Sequence, residues 1–240
     1  MTVTWQPLPW DSEFFGMQIG RIDFDDVDEP AILACEQEAR DHGIACLYAS
    51  LIPVDPTASY HLQNLGYRFL EVATTLDLHA SEPPIPRPAD ISVRLGTPDD
   101  LPAMTALIDN LATWSRFAHD PRFGFEAARR MQHAWVERAA RDTTGERSLL
   151  LAELNDSIVA FLTRCQSPEP IIDTIGTTAR GSGAAGYLVE VCREWGEGTM
   201  PLGGPIAARN VAALRFVGGC NYRPRRVRYI YHRWLDEKVR

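Results

Sequence analysis

The run Ala179-Arg180-Gly181-Ser182-Gly183-Ala184-Ala185-Gly186 is the part of this sequence best suited to hold an anion. Small residues let a backbone come close to a ligand, and a helix opening there presents free N–H groups. A diphosphate is the natural guest; a mobile loop leading into a tightly packed helix is the plainer reading. No Lys-Ser or Lys-Thr follows the glycines, so a Walker-type phosphate loop is excluded. Gly181, Gly183 and Gly186 match the spacing of the dinucleotide-binding fingerprint. That fingerprint needs a parallel strand–helix–strand unit, whereas a hairpin precedes this loop.

Proton-transfer chemistry has a second locus. His119 and Asp120 put a group that titrates near neutrality beside a carboxylate, within the loop Ser115–Gly124. Such a pair can take a proton directly or through water. A surface histidine beside an acid accounts for it equally well. Arg116 and Arg122 in the same loop suit phosphate groups, as forked guanidinium ions do. The run Arg223, Arg225, Arg226, Arg228 suits phosphates too, or a strand edge guarded by charge.

Composition removes several alternatives. The 240 residues carry a net charge of −8, which argues against general nucleic-acid binding. The five cysteines (Cys35, Cys46, Cys165, Cys192, Cys220) form no CxxC pair, so neither a disulfide framework nor a zinc site is expected. No apolar run nears the ~20 residues of a membrane span, and the first residues lack signal-peptide features. The expectation is a cytoplasmic protein without metal or membrane, and the order of elements given next makes it α+β with a mixed sheet.

These loops need elements to position them. The segment 81–90, SEPPIPRPAD, reads as a proline-rich linker between parts 1–80 and 91–240. In the first part, spacing predicts a helix over Asp28–His42, with Ile32, Leu33, Cys35 and Ala39 on one face. A strand over Ala45–Ile52, a helix over Pro56–Leu65 closed by Gly66, and a strand over Tyr67–Leu78 follow. In the second part, strands are expected at Ile91–Arg94, Ser148–Glu153, Ile158–Arg164, Ile171–Gly176, Pro205–Ala208 and Arg226–Trp234. Helices are expected from Thr97-Pro98 to Leu111, over Phe125–Arg141, over Gly183–Trp195 and over Asn210–Gly218.

Set in this frame, Arg180, Gly183 and Ala185 spell R-x-x-G-x-A, which resembles the acyl-CoA loop of the GCN5-related N-acetyltransferase (GNAT) superfamily. Ile91–Leu101 resembles its opening strand and helix, and Asn210–Leu214 the N-x-x-A start of its last helix. Further pieces resemble the dTDP-fucosamine acetyltransferases: Trp10-Asp11-Ser12-Glu13-Phe14-Phe15-Gly16, Ser115-Arg116-Phe117, Trp135, Arg180–Ala184 and Tyr229-Ile230-Tyr231-His232-Arg233. The resemblance implies a GNAT domain over 91–240, with a mixed, mostly antiparallel sheet flanked by helices. A smaller, partial GNAT-like α/β domain over 1–80 would precede it. It implies acetyl transfer from acetyl-CoA to the amine of a dTDP-linked amino-deoxy sugar, and a homodimer.

On that resemblance, Thr177, Arg180, Gly181, Ser182, Gly183, Ala184, Ala185 and Asn210 would meet acetyl-CoA. Ser115, Arg116, Arg122 and Trp135 would meet the acceptor. Backbone N–H groups near Asp173–Thr177 would receive the oxyanion. The tyrosine that many relatives carry seven residues after the helix-opening Asn is Val217 here. Tyr222 is the preferred substitute acid, with Tyr229, Tyr231 and Cys220 behind it. His119 and Asp120 are the preferred bases, with Asp173 and Glu153 as weaker alternatives. Another amine acceptor, or a CoA-binding protein without turnover, remains as an alternative function.

Overall fold

The computed structural model describes residues 3–24, 27–53, 56–78, 84–166, 170–195 and 202–236. Residues 81–83 of the expected linker lie outside the described residues. The chain forms two compact units, one of Met1–Ala73 with Arg226–Arg240, the other of Thr74–Arg225. By compactness the divisions therefore fall inside strands rather than at the proline-rich segment.

The first unit holds β1 (Val3–Pro7), α1 (Pro9–Phe15), β2 (Ile19–Phe24), α2 (Glu29–Asp41), β3 (Cys46–Leu51) and α3 (Pro56–Asn64). Strand β4 (Arg68–Leu78) follows, and its residues from Thr74 onward belong to the second unit. That unit continues with β5 (Ile91–Leu95), α4 (Leu101–Ala112), α5 (Arg116–His119), α6 (Gly124–Arg141), β6 (Arg147–Leu154) and β7 (Ser157–Cys165). It closes with β8 (Ile171–Thr177), α7 (Ala184–Trp195), β9 (Leu202–Ala207) and α8 (Val211–Gly219). Strand β10 (Tyr222–Trp234) starts there and supplies the first unit from Arg226 onward.

Strands lie in the order β1-β2-β3-β10-β4 in the first unit and β4-β9-β8-β7-β6-β5 in the second. The β2–β3 and β8–β9 pairs are parallel, whereas β1–β2, β3–β10 and β5 through β8 pair antiparallel. The mixed α+β architecture expected from the sequence is present. In the second unit, α7 and α8 bury Leu188, Val189, Cys192 and Val217 on one sheet face. Helices α4 and α6 bury Met104, Leu107, Ile108 and Val136 with Leu149, Leu151 and Phe161 on the other.

Three elements at the start were not legible. Pro7, Pro9, Gly16 and Gly20 cut residues 3–24 into pieces too short to show a period. A polar tie joins two of them: the Ser12 hydroxyl accepts from the Ile19 N–H at 2.9 Å, and Gly16 ends α1 at φ 67°. In the Trp10–Gly16 motif, Ser12 and Gly16 thus close α1 onto β2. The last strand begins at Tyr222 rather than Arg226, with Pro224 in an exposed stretch. On α2, Leu33 is 39% exposed, so only Ile32, Cys35 and Ala39 of the predicted face are buried.

An ion pair lies inside the first unit. Arg233 and Glu36 are 1% and 0% exposed, and the Arg233 Nε donates to Glu36 Oε1 at 3.2 Å. Arg40 Nη2 donates to the other carboxylate oxygen at 2.8 Å, and Arg233 Nη1 to the Trp234 carbonyl at 2.8 Å. Gly66 leaves room for the guanidinium; a Cβ there would stand 3.2 Å from Arg233 Nη1. The Tyr67 hydroxyl, held up by burial and then by the Glu36 charge, stays protonated beside it. Removing one partner of such a pair strands a buried charge. Glu36→Ala is expected to lose about 3–5 kcal/mol of stability in urea unfolding.

Candidate functional site

Among the described residues, the parallel strands β8 and β9 pair at Ile171 with Leu202 and Ile172 with Gly203, where their ladder ends. The next residue, Gly204, lies so close to β8 that an added Cβ would sit 2.8 Å from the Ile172 carbonyl oxygen and 3.2 Å from that of Asp173. After it comes Pro205, which has no N–H to give a ladder. On its other edge β8 pairs with β7, with a bulge that leaves Asp173 as the extra residue between Ile172 and Thr174. Bulges recur where a strand must re-aim its groups beside a site. Past this point, among the described residues, Asp173–Thr177 have no ladder partner on β9.

The strand then feeds the glycine loop. Thr177 Oγ1 and Thr178 N both donate to the Val159 carbonyl, at 3.0 Å each, which fixes the strand end. Ser182 Oγ donates to the Ala179 carbonyl at 2.8 Å and accepts from the Ala184 N–H at 3.3 Å. Gly181 and Gly183 sit at φ 83° and 79°, the left-handed region that glycine takes at least cost. Gly183 starts the first turn by accepting from Tyr187 N–H at 2.9 Å. Helix α7 is 12 residues long with no acid in its first turn. Its start therefore offers a positive dipole end to an anion, with Arg180 exposed in the loop.

A second segment faces chemistry from α4 to α6. Ser115 caps α5, accepting from the Phe117 N–H at 3.3 Å. Phe117 is fully buried, stacks edge-on to Phe123 at 5.2 Å, and carries the Arg116 guanidinium 4.4 Å above its ring. Asp120 is 0% exposed and accepts from the Arg122 N–H at 3.0 Å, so it shapes the turn into α6. His119 is exposed, its Nε2 3.2 Å from the Thr113 carbonyl. Arg122 is exposed, and Trp135 is half-buried on α6.

The structure therefore gathers Ser115, Arg116, His119, Asp120 and Arg122 on one segment, and Thr177 with Arg180–Ala185 on another. Arg209 was not foreseen: its Nη2 donates to the Trp114 carbonyl at 2.7 Å and so ties the approach to α8 to the first segment. Its sequence position beside Asn210 was the only signal. Asn210 itself spends its side-chain oxygen as a cap, accepting from the Ala213 N–H at 3.1 Å. Gly204-Pro205 was the other missed feature, although a glycine followed by a proline is a legible end to a strand pairing.

The substitute acids take other places. Tyr222 is 4% exposed among Leu76, Cys192, Val217 and Cys220, and burial drives its hydroxyl well above the ordinary phenol range. Cys220 is equally buried, its thiol pushed up to about 11. Tyr231 and Tyr229 belong to the first unit, where the Tyr231 hydroxyl donates to Ser59 at 2.7 Å. Asp173, weighed lightly in the sequence, has a distinctive setting. Desolvation by its neighbours raises its carboxyl above the usual range, although its side chain is 36% exposed and Arg147 Nη1 donates to it at 3.1 Å. Among the described residues, no group of three metal-ligating side chains occurs and no helix is long and apolar enough to cross a membrane.

No protein-family model and no curated protein matches the chain. Solved structures do. A functionally unknown conserved protein from Staphylococcus epidermidis is similar at 14% identity and a TM-score of 0.63, over 90% of this chain and 84% of that one. A GCN5-related N-acetyltransferase from Sphaerobacter thermophilus is similar at 16% identity and 0.62, over 97% and 76%. A tandem GNAT protein from the clavulanic acid biosynthesis pathway is similar at 14% identity and 0.56, over 93% and 77%. The chain has the fold of the GCN5-related N-acetyltransferases, preceded by further GNAT-like structure as in the tandem protein.

The two loop glycines should differ on substitution. At Gly183 a Cβ would meet Pro88 Cγ at 2.9 Å on left-handed backbone, whereas at Gly186 it would rest 3.6 Å from Ile85 Cγ2. Gly183→Ala is expected to cost about 1–3 kcal/mol. Gly186→Ala, inside a helix, should be neutral or stabilising by up to about 1 kcal/mol. Urea unfolding of both variants checks the contrast.

Proposed function

We propose that this chain is an N-acyltransferase that moves an acetyl group from acetyl-CoA to an amine. The observation that carries the reading is the β8–β9 ladder that, among the described residues, ends at Ile172 and Gly203, with β8 running directly into the glycine loop and α7. An extended thioester arm can pair with the free edge of Asp173–Thr177 while its diphosphate meets the N–H groups of Gly181–Ala185. The same edge supplies backbone donors for the oxyanion that forms when the amine attacks the thioester carbonyl.

Asp173 is the base best supported by its surroundings, ahead of His119. Its carboxylate takes the proton lost by the attacking amine, and the intermediate collapses to an amide and the CoA thiolate. With Val217 and Tyr222 both in the core, the thiolate takes its proton from water; a thiol titrating near ~8.5 leaves tolerably without a side-chain acid. A base must be ionised, so activity falls as pH drops through the raised Asp173 range. Asp173→Asn is expected to lower kcat about 10²–10⁴-fold and to remove that acid limb, as read from a kcat–pH profile.

For the acceptor, we propose the amine of a nucleotide-linked amino-deoxy sugar. The support is the ordered set of motifs shared with dTDP-fucosamine acetyltransferases, together with Arg116 and Arg122 on the α5 segment as partners for its diphosphate. Incubation with acetyl-CoA and a panel of dTDP-amino sugars should give a product heavier by one acetyl group by mass spectrometry. Acetylation of other amines alone would move the acceptor; CoA binding without turnover on any amine would favour the non-catalytic reading that Val217 supports.

A further inference from the structure

Residues 84–88 of the proline-rich stretch do not run free. Ile85 and Pro88 turn inward while Pro84, Pro86 and Arg87 are exposed. An inward residue every third position is the repeat of polyproline II, which needs no partner strand. The inward residues meet one face of α7. Pro88 lies against Gly183 and Ile85 against Gly186, at distances that leave 2.9 Å and 3.6 Å to an added Cβ. One turn further along, the Ile85 N–H donates to Glu190 Oε2 at 3.1 Å. Gly183, Gly186 and Glu190 stand at i, i+3 and i+7, a single helical stripe.

Glu190 is a buried carboxylate, 5% exposed. Arg193, one turn on, reaches it at 3.5 Å. Its remaining strong donor is the backbone of the strap. A buried carboxylate that loses a donor pays a desolvation cost, so the helix and the strap hold each other. Pro88 meanwhile rests on the residue whose positive φ sets the glycine loop, and Arg87 Nε donates to the Ile91 carbonyl at 3.1 Å, which anchors the far end to β5.

We propose that Pro84–Pro88 is a strap that preorganises the anion-binding start of α7, with Glu190 as its latch. Glu190 is a positioning residue: it acts through Ile85 and Pro88 on Gly183 and touches no substrate. The inference rests on the acyl-CoA reading above for the identity of the anion. An ordered loop loses no backbone freedom when the diphosphate arrives, and that saving appears as affinity.

The test compares the intact chain with Glu190→Leu, Glu190→Gln and Pro88→Gly, using calorimetric titration with CoA and with inorganic pyrophosphate, and amide exchange at Ile85. Circular dichroism confirms that each variant is folded. Glutamine keeps an acceptor for the Ile85 N–H, so Glu190→Gln should bind and exchange as the parent does. Glu190→Leu should speed exchange at Ile85 and weaken CoA about tenfold, the scale of one lost hydrogen bond to a charged group. Pro88→Gly should weaken CoA with the Ile85 hydrogen bond retained. If the parent binds CoA and Glu190→Leu binds it equally well while Ile85 exchanges faster, the strap does not order the site. Unchanged exchange in Glu190→Leu would show that Glu190 is no latch. A parent chain that binds pyrophosphate but not CoA would overturn the acyl-CoA reading and leave the strap; one that binds neither would overturn both.

Discussion

A parallel strand pair whose ladder ends at Ile172 and Gly203 is the constraint on which the second unit turns. Backbone groups inside a protein must find partners, and a parallel ladder is the usual way for adjacent strands to supply them. Here Gly204 draws β9 against Ile172 and Asp173, and Pro205 then withholds the donor that the next step of the ladder needs. The bulge at Asp173 bends β8 at the same level. Two local features of sequence, one missing side chain and one missing N–H, thus end the ladder at the edge that the proposed function gives to the thioester arm. The left-handed glycines and α7 lie immediately downstream, so on the proposed chemistry consecutive residues would serve the extended and anionic parts of one ligand.

The first unit carries the same type of motif in closed form. Its parallel strands β2 and β3 pair over four consecutive positions, from Ile19 with Cys46 to Ile22 with Ala49. The helix between them begins with its own acids: Asp28 accepts from the Ala31 N–H at 3.3 Å, and Glu29 and Pro30 follow. A carboxylate already occupies the positive end of that helix, and proline removes one of its donors. The likeness between the two parts is one of architecture, and their chemistry diverges at a few residues. The buried Arg233–Glu36 pair, with Gly66 cleared to admit the guanidinium, assigns the end of β10 to this unit by a specific polar contact as well as by hydrophobic burial.

Much of this was legible. Long elements with a clean period, such as α6 and the β6–β7 hairpin turning at Asn155-Asp156, announced themselves, because burial of one face leaves a pattern in any sequence. The glycine loop was legible because positive φ and close approach restrict residue type. Elements held by polar ties rather than by a face were not: α1 depends on Ser12, and α5 on Ser115 and the buried Asp120. Pro224 hid the first residues of β10, since a proline in a strand reads as a break until its exposed position is known. The proline-rich segment read as a spacer because composition reports stiffness but not what lies beside it.

Side-chain chemistry was the least legible part, and the reason is physical. Tyr222 was favoured for its nearness in sequence to the end of α8, but a strand residue alternates faces, and position 222 turns inward to 4% exposure. Asp173 was discounted as a core-strand residue, yet a bulge gives it an extra place on the strand, where Arg147 reaches it. Proximity along a chain says which residues share a neighbourhood; strand parity and bulges decide which of them faces the opening. On the proposed chemistry, this division assigns stabilisation of the developing charge to backbone donors, whose geometry the parted strands fix. The side chains then have to manage only one proton, and one carboxylate with a raised pKa suffices for that. Such a site can dispense with the tyrosine that Val217 replaces, provided the strands stay apart and the thiolate is released toward water.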